Sequence, residues 1–187
     1  MGTKLLETIK CLDGLVYHLD YHQQRVNTSR KVLGFDSALQ LKLDPPKEGL
    51  FRCRIIYEES IEKIEYLAYQ QKKIQSFKLV YSDIDYALKY EDRSELNLLM
   101  TEDADEIIIV NNNLITDTSI ANLCFYDGKE WLTPKTPLLK GTTRQRLLDE
   151  KRIKEADIQV FDIKNYEKIA LINAMINFTI IENAIIL

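Results

Sequence analysis

Apolar and polar positions in the N-terminal third of the chain alternate with a period of two, which is typical of strands. Residues 5–11 and 15–19 follow this pattern. Between them, Asp13-Gly14 is a dipeptide favoured at tight hairpin turns. Runs rich in Ile, Tyr and Phe predict further strands at residues 50–57, 61–69 and 77–81. This part of the chain is therefore expected to form an antiparallel sheet.

Residues 20–33 instead have the spacing of an amphipathic helix. Asp20 fits the N-cap position, and Gly34 is placed to end the helix. A second short helix is expected at residues 36–41, before Pro45-Pro46 stops it. The first part of the chain is thus predicted to be an α+β layer with a helical hairpin beside the sheet.

The polar run at residues 82–93 predicts a domain linker, so we expect a smaller domain at residues 1–83 and a larger one at residues 84–187. In the second domain, strands are expected at residues 106–110, 114–116, 121–126 and 158–161, and two terminal apolar segments follow at residues 169–172 and 178–181. Helices are expected at residues 92–101 and 143–154, with a short one near Tyr166.

Composition excludes several classes of protein. Hydrophobic residues make up 45% of the 187 positions, enough for a sizeable core. A net charge of -4 opposes nucleic-acid binding, which needs a basic face. No window reaches the roughly 18 apolar residues of a membrane helix. The first ten residues become polar too early for a signal peptide, so a cytoplasmic protein is expected.

Cysteine and histidine are too few and too scattered to predict a metal site. Cys11, Cys53 and Cys124 each lie inside an apolar run, and none forms a C-x-x-C pair. Buried free thiols are the expected state. His18 and His22 are the only two histidines.

Lys89 and Asp117 are the first two candidates for chemistry. Lys89 lies between an aromatic run and a predicted helix, where partial burial can lower the pKa of a lysine enough for covalent catalysis. Asp117 follows an apolar strand, where a carboxylate could hold a protonated pyridine nitrogen. The alternatives are a solvated surface lysine and a turn-forming aspartate.

Two further candidates could bind a phosphate. The sequence Gly141-Thr142-Thr143-Arg144 opens a predicted helix, where free backbone N–H groups and the helix dipole favour an anion. Arg25, in the first helix, carries a guanidinium that can bind a phosphate through two hydrogen bonds. Plain helix capping and a surface arginine are the alternatives.

Taken in order, these segments resemble the class IV aminotransferases, the fold-type IV enzymes that use pyridoxal 5'-phosphate (PLP). Leu6-Glu7-Thr8-Ile9-Lys10 followed by Asp13-Gly14 resembles the early hairpin of that family. The run LDYHQQRVNTSRKVLG resembles its next helix, and KYEDR resembles the segment around the cofactor lysine in its lyase branch. Ala104-Asp105-Glu106, LITDTSIANL, Thr133-Pro134 and LLKGTTR match later motifs in the same order.

The resemblance implies a two-domain, α+β or α/β fold of the D-amino-acid aminotransferase type, with the cofactor in a cleft between the domains. Lys89 would hold the cofactor covalently and, once released by the substrate, carry a proton to and from the substrate. Asp117 matches the family's glutamate that pairs with the pyridine nitrogen. A homodimer whose sites are completed by the partner is also implied.

The same resemblance implies a set of residues around the cofactor phosphate. Arg25 falls on the family's phosphate-binding arginine, and Thr142 and Thr143 fall on the residues that complete the phosphate cup. Asn173-Ala174-Met175 resembles a motif near the end of the aminodeoxychorismate lyases, again close to the phosphate. Asn173 and Ala174 are therefore further expected cofactor contacts.

That last motif and the K-x-x-x-R pattern favour the lyase branch, which converts 4-amino-4-deoxychorismate to 4-aminobenzoate and pyruvate for folate synthesis. Branched-chain and D-amino-acid aminotransferases are the alternative. A shortened, non-catalytic member of the family, which binds the cofactor or a partner without turnover, is a second alternative. The expected substrate is a small amino-acid-like molecule.

The sequence departs from the family pattern at several positions. Asp117 replaces a glutamate and is one methylene shorter, and Thr118 replaces a glycine. An arginine expected in the loop after residues 50–56 is absent, because that loop begins Tyr57-Glu58-Glu59. Arg52 and Arg54, on one face of the preceding strand, could bind the substrate carboxylate instead. Structural ion pairs are the alternative role for these two arginines.

Overall fold

The structure, a computed structural model, describes residues 2–187, which form two compact units. Unit 1 contains residues 2–71 and 88–92, and unit 2 contains Lys72–Ala87 and Arg93–Leu187. The predicted combination of helices and sheets is confirmed. Within residues 2–187, no helix combines the length and the apolar character that crossing a bilayer requires.

Unit 1 is built on an antiparallel four-stranded sheet with the strand order β2-β1-β3-β4. Its strands are β1 (Leu5–Leu12), β2 (Leu15–Val16), β3 (Leu50–Tyr57) and β4 (Ile61–Ala68). Asp13 and Gly14 have φ angles of 49° and 79°, and two successive positive values are what a type I′ hairpin turn requires. The predicted hairpin is therefore confirmed, although its second strand ends at Val16 rather than at residue 19.

Helix α1 (Leu19–Val32) covers one face of this sheet. It begins one residue before the predicted start, after His18 in the left-handed region at φ 53°. At its other end, the N–H groups of Gly34 and Phe35 donate to the carbonyls of Lys31 and Arg30, and Gly34 has φ 89°. These two bonds form a Schellman motif, which confirms Gly34 as the residue that ends the helix.

The second short helix predicted at residues 36–41 is wrong. This segment is irregular, and side chains of α1 satisfy its backbone instead of a helical ladder. Gln23 donates from Nε2 to the Leu39 carbonyl at 2.6 Å and accepts the Leu41 N–H at 2.8 Å. Arg30 donates to the Ser37 carbonyl. These contacts let Leu41 enter the core of unit 1 without a second helix.

Two segments belong to units other than those expected from the linear order of the chain. Residues 88–92 return to unit 1, because the Leu6 N–H donates to the Lys89 carbonyl at 2.8 Å and the Glu91 N–H donates to the Lys4 carbonyl at 2.9 Å. Strand β5 (Ser76–Tyr81) joins unit 2 by pairing parallel with β6 (Glu106–Asn111). The compact units thus differ from a simple division after residue 83, and Lys89 lies in unit 1.

Unit 2 contains two sheets, with the strand orders β13-β5-β6-β7 and β10-β9-β8-β11-β12. The remaining strands are β7 (Leu114–Ile115), β8 (Asn122–Tyr126), β9 (Trp131–Pro134), β10 (Lys154–Ala156), β11 (Lys168–Asn173), β12 (Asn177–Ile181) and β13 (Ile185–Ile186). The helices are α2 (Ser94–Leu98), α3 (Thr142–Asp149) and a 3-10 helix (Val160–Asn165).

The main core of unit 2 lies between its two sheets. Phe77 and Ile108 from the first sheet meet Leu123, Phe125 and Leu171 from the second. On the opposite face of the five-stranded sheet, a smaller cluster contains Cys124, Leu147 of α3, Ile153, Ala170 and Ile172. This packing fixes α3 against the sheet and thereby fixes the loop that leads into the helix. All three cysteines are buried and free, as predicted.

Two predicted elements near α3 differ from the structure. The helix ends at Asp149 rather than at residue 154, because Lys151 takes a left-handed conformation at φ 55° and the chain then pairs with β9 as strand β10. Residues 158–161, predicted as a strand, lead into the 3-10 helix at Val160–Asn165. Ile158 is nevertheless buried in the main core, which explains its apolar character.

Candidate functional site

Asp117 lies just beyond β7, in a loop whose backbone and side chain are both held in place. Its carbonyl accepts the N–H of Ile109 at 2.8 Å. Its side chain is 4% exposed, with Oδ1 accepting from Asn122 Nδ2 at 2.6 Å and Oδ2 accepting the Leu139 N–H at 2.8 Å. The carboxylate is therefore fixed in orientation by two neutral donors.

The pKa of Asp117 is raised to about 7. Burial is the main cause, because it disfavours the charged form. The Leu139 N–H, the Asn122 amide and the charge of Arg144 oppose this effect without overcoming it. Within residues 2–187, no ion pair joins Asp117 to a cation. A cation placed beside this carboxylate would stabilise its ionised form.

Asn122 connects Asp117 to the segment before helix α3. Besides its bond to Asp117, its Nδ2 donates to the Leu139 carbonyl at 2.8 Å. Gly141 lies close to the Asn122 side chain. A Cβ at position 141 would overlap Asn122 Oδ1 and lie 3.2 Å from Asn122 Cγ. Glycine at position 141 is therefore required by the close approach of Asn122, since its own φ of -68° suits any residue.

Helix α3 begins at Thr142, with Gly141 as its N-cap residue. Because glycine has no side chain, Gly141 cannot itself cap the first N–H groups of the helix. Thr142 and Thr143 are 7% and 6% exposed. Uncapped N–H groups and the positive end of the helix dipole suit an anion such as a phosphate.

The turn after β11 reaches the same loop that carries Asp117. Asn173 Oδ1 accepts the N–H groups of Met175 and Ile176 at 2.9 and 3.0 Å, and its Nδ2 donates to the Ile120 carbonyl at 3.1 Å. Ala174 is half-buried in this turn. The loop at residues 117–122 thus contacts both the segment leading into α3 and the turn at residues 173–176.

Arg93 adds a contact to this loop that the sequence alone did not single out. Its guanidinium donates from Nη2 to the Ser119 carbonyl at 2.7 Å. Asn122 is a second residue of the site that was not proposed as a candidate. Both residues lie inside motifs that matched the family, so the signal was present although their contacts could not be predicted.

In unit 1, the backbone around Lys89 is held at both ends. The Lys89 carbonyl accepts the Leu6 N–H, and Tyr90 pairs with Leu5 across an isolated bridge. The Tyr90 N–H also donates to the Leu88 carbonyl at 3.0 Å, which closes a γ-turn centred on Lys89. The lysine is half-buried on this fixed backbone.

Arg25 is fixed by a carboxylate that is fully buried on β1. Its Nε and Nη2 donate to Glu7 Oε1 and Oε2 at 2.8 and 2.6 Å, and His22 Nδ1 lies 2.6 Å from Glu7 Oε2. Burial alone would raise the pKa of Glu7, but the charge of Arg25 and the hydrogen bonds of His22 and Arg25 lower it to about 2. Glu7 therefore orients Arg25 and balances its charge.

The two arginines of β3 differ in their partners. Arg54 lies directly opposite Glu65 of β4 and donates from Nη1 to Glu65 Oε2 at 3.2 Å. Arg52 lies between Leu67 on β4 and Lys10 on β1.

The nine predicted site residues fall into two groups. Unit 1 contains Lys89, Arg25, Arg52 and Arg54, and unit 2 contains Asp117, Thr142, Thr143, Asn173 and Ala174. The structure connects the unit 2 residues through the loop at residues 117–122. Their roles toward a cofactor or substrate remain predictions.

Comparison with known proteins identifies relatives over almost the whole chain. The amino-transferase class IV family model matches residues 94–184. A protein of Haemophilus influenzae described as uncharacterized is 40% identical over 183 residues, which cover 91% of this chain and 97% of that protein. A protein of Schizosaccharomyces pombe named "putative aminodeoxychorismate lyase" is 26% identical, with 87% and 82% of the two chains covered.

The fold is also found in solved structures. A crystal structure named as that of a "putative 4-amino-4-deoxychorismate lyase" from Haemophilus somnus superposes with a TM-score of 0.83. It shares 39% sequence identity and covers 94% of this chain and 97% of its own. The expected fold-type IV architecture is therefore confirmed.

Replacing Glu7 with Gln should destabilise the protein in a pH-dependent way. The folded pKa of Glu7, about 2, lies below its ordinary value of 4.5. The stability that this shift provides, on the order of 3 kcal/mol, is complete above about pH 4.5 and is lost as the pH falls towards 2. Urea unfolding should show a large gap between the parent and Glu7→Gln at pH 6 that narrows by pH 3.

Glu65→Gln is the matched control, because Glu65 pairs with Arg54 on the partly exposed face of the same sheet. Its effect on the free energy of unfolding should be much smaller than that of Glu7→Gln, because water screens an ion pair near the surface. A gap for Glu7→Gln that stayed constant from pH 6 to pH 3 would contradict the assignment.

Replacing Gly141 with Ala should disturb Asn122 and destabilise the protein by about 1–3 kcal/mol, because the added Cβ overlaps a side chain held by two hydrogen bonds. A double-mutant cycle with Asn122→Ala checks the cause through unfolding free energies. In the Asn122→Ala background, Gly141→Ala should cost little. An equal cost in both backgrounds would show that Asn122 is not the obstacle.

Proposed function

This chain belongs to the amino-transferase class IV family of PLP-dependent enzymes, and from that premise we propose that it is a lyase. The proposed reaction converts 4-amino-4-deoxychorismate to 4-aminobenzoate and pyruvate. Similar proteins that are named as a "putative" lyase of this kind include the Haemophilus somnus structure at 39% identity and the Schizosaccharomyces pombe protein at 26% identity. By the same resemblance, we propose that the protein acts as a cytoplasmic homodimer.

The observation that carries the cofactor part of the proposal is the carboxylate of Asp117, which is buried without a cationic partner among residues 2–187. The protonated ring nitrogen of PLP is a cation of the required kind. Asp117 already accepts hydrogen bonds from Asn122 and Leu139, but a carboxylate has about four acceptor positions and can take another donor. Ion pairing would bring the pKa of Asp117 down towards its ordinary range and keep the ring nitrogen protonated.

Thr142 and Thr143 fit the phosphate of the same cofactor. They are the first residues of α3, where N–H groups and the helix dipole favour an anion. Arg25 is proposed to add a guanidinium to the phosphate, with Glu7 fixing its orientation. Asn173 is proposed to act through the turn that holds Ala174, since its side chain already bonds two N–H groups of that turn.

When bound, PLP supplies an electron sink for the charge that develops on the substrate carbon next to the amino group. Lys89 is proposed to hold the cofactor through its ε-amino group and, once free, to move the proton at that carbon. The γ-turn and the bond to Leu6 fix the backbone from which this side chain extends. Asp117 would keep the ring cationic during the proton transfer.

Cofactor uptake tests the enzyme proposal. Purified protein mixed with PLP should absorb in the visible range of a lysine-bound cofactor, and borohydride reduction should leave a mass increase on the peptide that contains Lys89. Lys89→Ala should lose both signals, because the attachment point is gone. Lys31→Ala, at the exposed end of α1, should keep them. Parent protein that gains neither signal would contradict the proposal.

Reaction type is tested on the same protein. With 4-amino-4-deoxychorismate, pyruvate should appear together with 4-aminobenzoate, and Asp117→Asn should lower kcat at least tenfold because the charged partner of the ring is lost. Keto acids formed from branched-chain or D-amino acids, with no pyruvate from the first substrate, would favour the aminotransferase alternative. Cofactor uptake without either activity would favour the non-catalytic alternative.

A further inference from the structure

The sheet of unit 1 has two chemically different faces. One face is apolar and packs against α1 through residues such as Leu5, Ile9 and Cys53. Side chains on the opposite face include Thr8 and Lys10 of β1, Arg52 and Arg54 of β3, and Lys63, Glu65 and Leu67 of β4. We call this opposite face the cationic face, and its side chains from β1, β3 and β4 include four cations and one carboxylate.

The single carboxylate of the cationic face is already used. Glu65 bonds Lys63 at 2.8 Å and Arg54 at 3.2 Å, and the hydrogen bond from Lys63 is the largest cause that lowers the pKa of Glu65. In contrast, Lys10 and Arg52 lie directly opposite each other in the strand register. Neither forms an ion pair with a carboxylate in residues 2–187. Two like charges in this position repel each other unless an anion joins them.

The environment of Lys10 and Arg52 suits a carboxylate ligand. Both side chains are half-buried, so their charges are only partly screened by water. The Nε of Arg52 is shielded from solvent and has no hydrogen-bond partner among the described residues. Tyr17 adds an aromatic ring 5.3 Å from Lys10 Nζ.

Lys89 lies on the cationic face of the same sheet. Leu88 and Tyr90 both pack against the apolar core of unit 1, so the side chain of Lys89 between them leaves on the opposite side. Lys89 is opposite Leu6, and Lys10 lies four residues further along β1. At about 3.3 Å per residue, these four residues separate Lys89 from Lys10 by about 13 Å along β1. Two lysine side chains can shorten that gap to the size of a small ring compound.

We propose that Lys10 and Arg52 together bind a carboxylate of the substrate at the end remote from its reacting amino group. This inference rests on the proposed function, because it takes Lys89 as the residue that moves the proton at the carbon next to the reacting amino group. The substrate class is then a cyclic amine that bears a carboxylate across the ring. In the proposed reaction, the carboxylate bound by Lys10 and Arg52 is the one that remains in 4-aminobenzoate. Arg54, paired with Glu65, has a structural role instead.

Ligand binding tests this inference without requiring turnover. 4-Aminobenzoate and its neutral analogue 4-aminobenzamide are titrated by calorimetry into the 187-residue protein with PLP present. The parent should bind the benzoate at least tenfold more tightly, because charge-assisted hydrogen bonds to the carboxylate are lost with the amide. Lys10→Met and Arg52→Met should each reduce this preference to threefold or less. Methionine keeps most of the apolar stem of each residue.

Arg54→Met is the matched control on the same strand and should retain the preference. Arg52→Lys keeps the positive charge and should retain part of the preference for the benzoate. If Arg52→Met lost the preference only because it failed to fold, keeping the charge at position 52 would make no such difference. Equal binding of the two compounds by the parent would overturn the inference. Loss of the preference in Arg54→Met but not in Arg52→Met would overturn it as well.

The reaction assay separates this inference from the proposed function. Selective benzoate binding that depends on Lys10 and Arg52, without pyruvate release, would support the site and contradict the lyase. Pyruvate release with an unchanged KM in the double variant Lys10→Met/Arg52→Met would support the lyase and contradict the site. If both proposals hold, the double variant should raise KM at least tenfold, change kcat by less than threefold and keep the spectrum of the bound cofactor.

Discussion

A carboxylate buried without a cationic partner is the constraint on which the candidate site depends. Asp117 is held by Asn122 and Leu139, and Asn122 in turn requires glycine at position 141, immediately before α3. Asn122 thereby fixes the position of the Asp117 carboxylate relative to the N-terminus of α3. A molecule with a cationic ring at one end and an anionic group at the other matches both features, and PLP is such a molecule.

Glu7 shows what the same kind of residue does when its charge is compensated. It is as deeply buried as Asp117, yet its pKa is lowered to about 2 whereas that of Asp117 is raised to about 7. The difference comes from Arg25 and His22, which supply positive charge and hydrogen bonds to Glu7. Glu7 therefore needs no ligand and serves to orient Arg25. Asp117 lacks such a partner, which is why we propose that it binds a ligand rather than serving a structural role.

Local patterns predicted much of this fold, and long-range contacts account for what they missed. The Asp13-Gly14 hairpin and the end of α1 at Gly34 followed from backbone preferences that a few adjacent residues determine. The helix expected at residues 36–41 failed because Gln23 supplies the hydrogen bonds from a distant position. Similarly, motif resemblance identified Asp117 as a candidate, but the opposition of Lys10 and Arg52 depends on the register of β1 and β3, which the sequence does not reveal.

The pKa of Asp117 with and without cofactor tests the central claim most directly. Carbon-13 NMR of carboxyl-labelled aspartate, with the signal assigned by its loss in Asp117→Asn, can follow this group through a pH titration. We expect a midpoint near 7 in cofactor-free protein and a shift of at least one pH unit to lower values when PLP is bound, because the ring nitrogen then supplies the missing cation. A midpoint near 4 in the cofactor-free protein, or one that stays near 7 with PLP bound, would contradict the account.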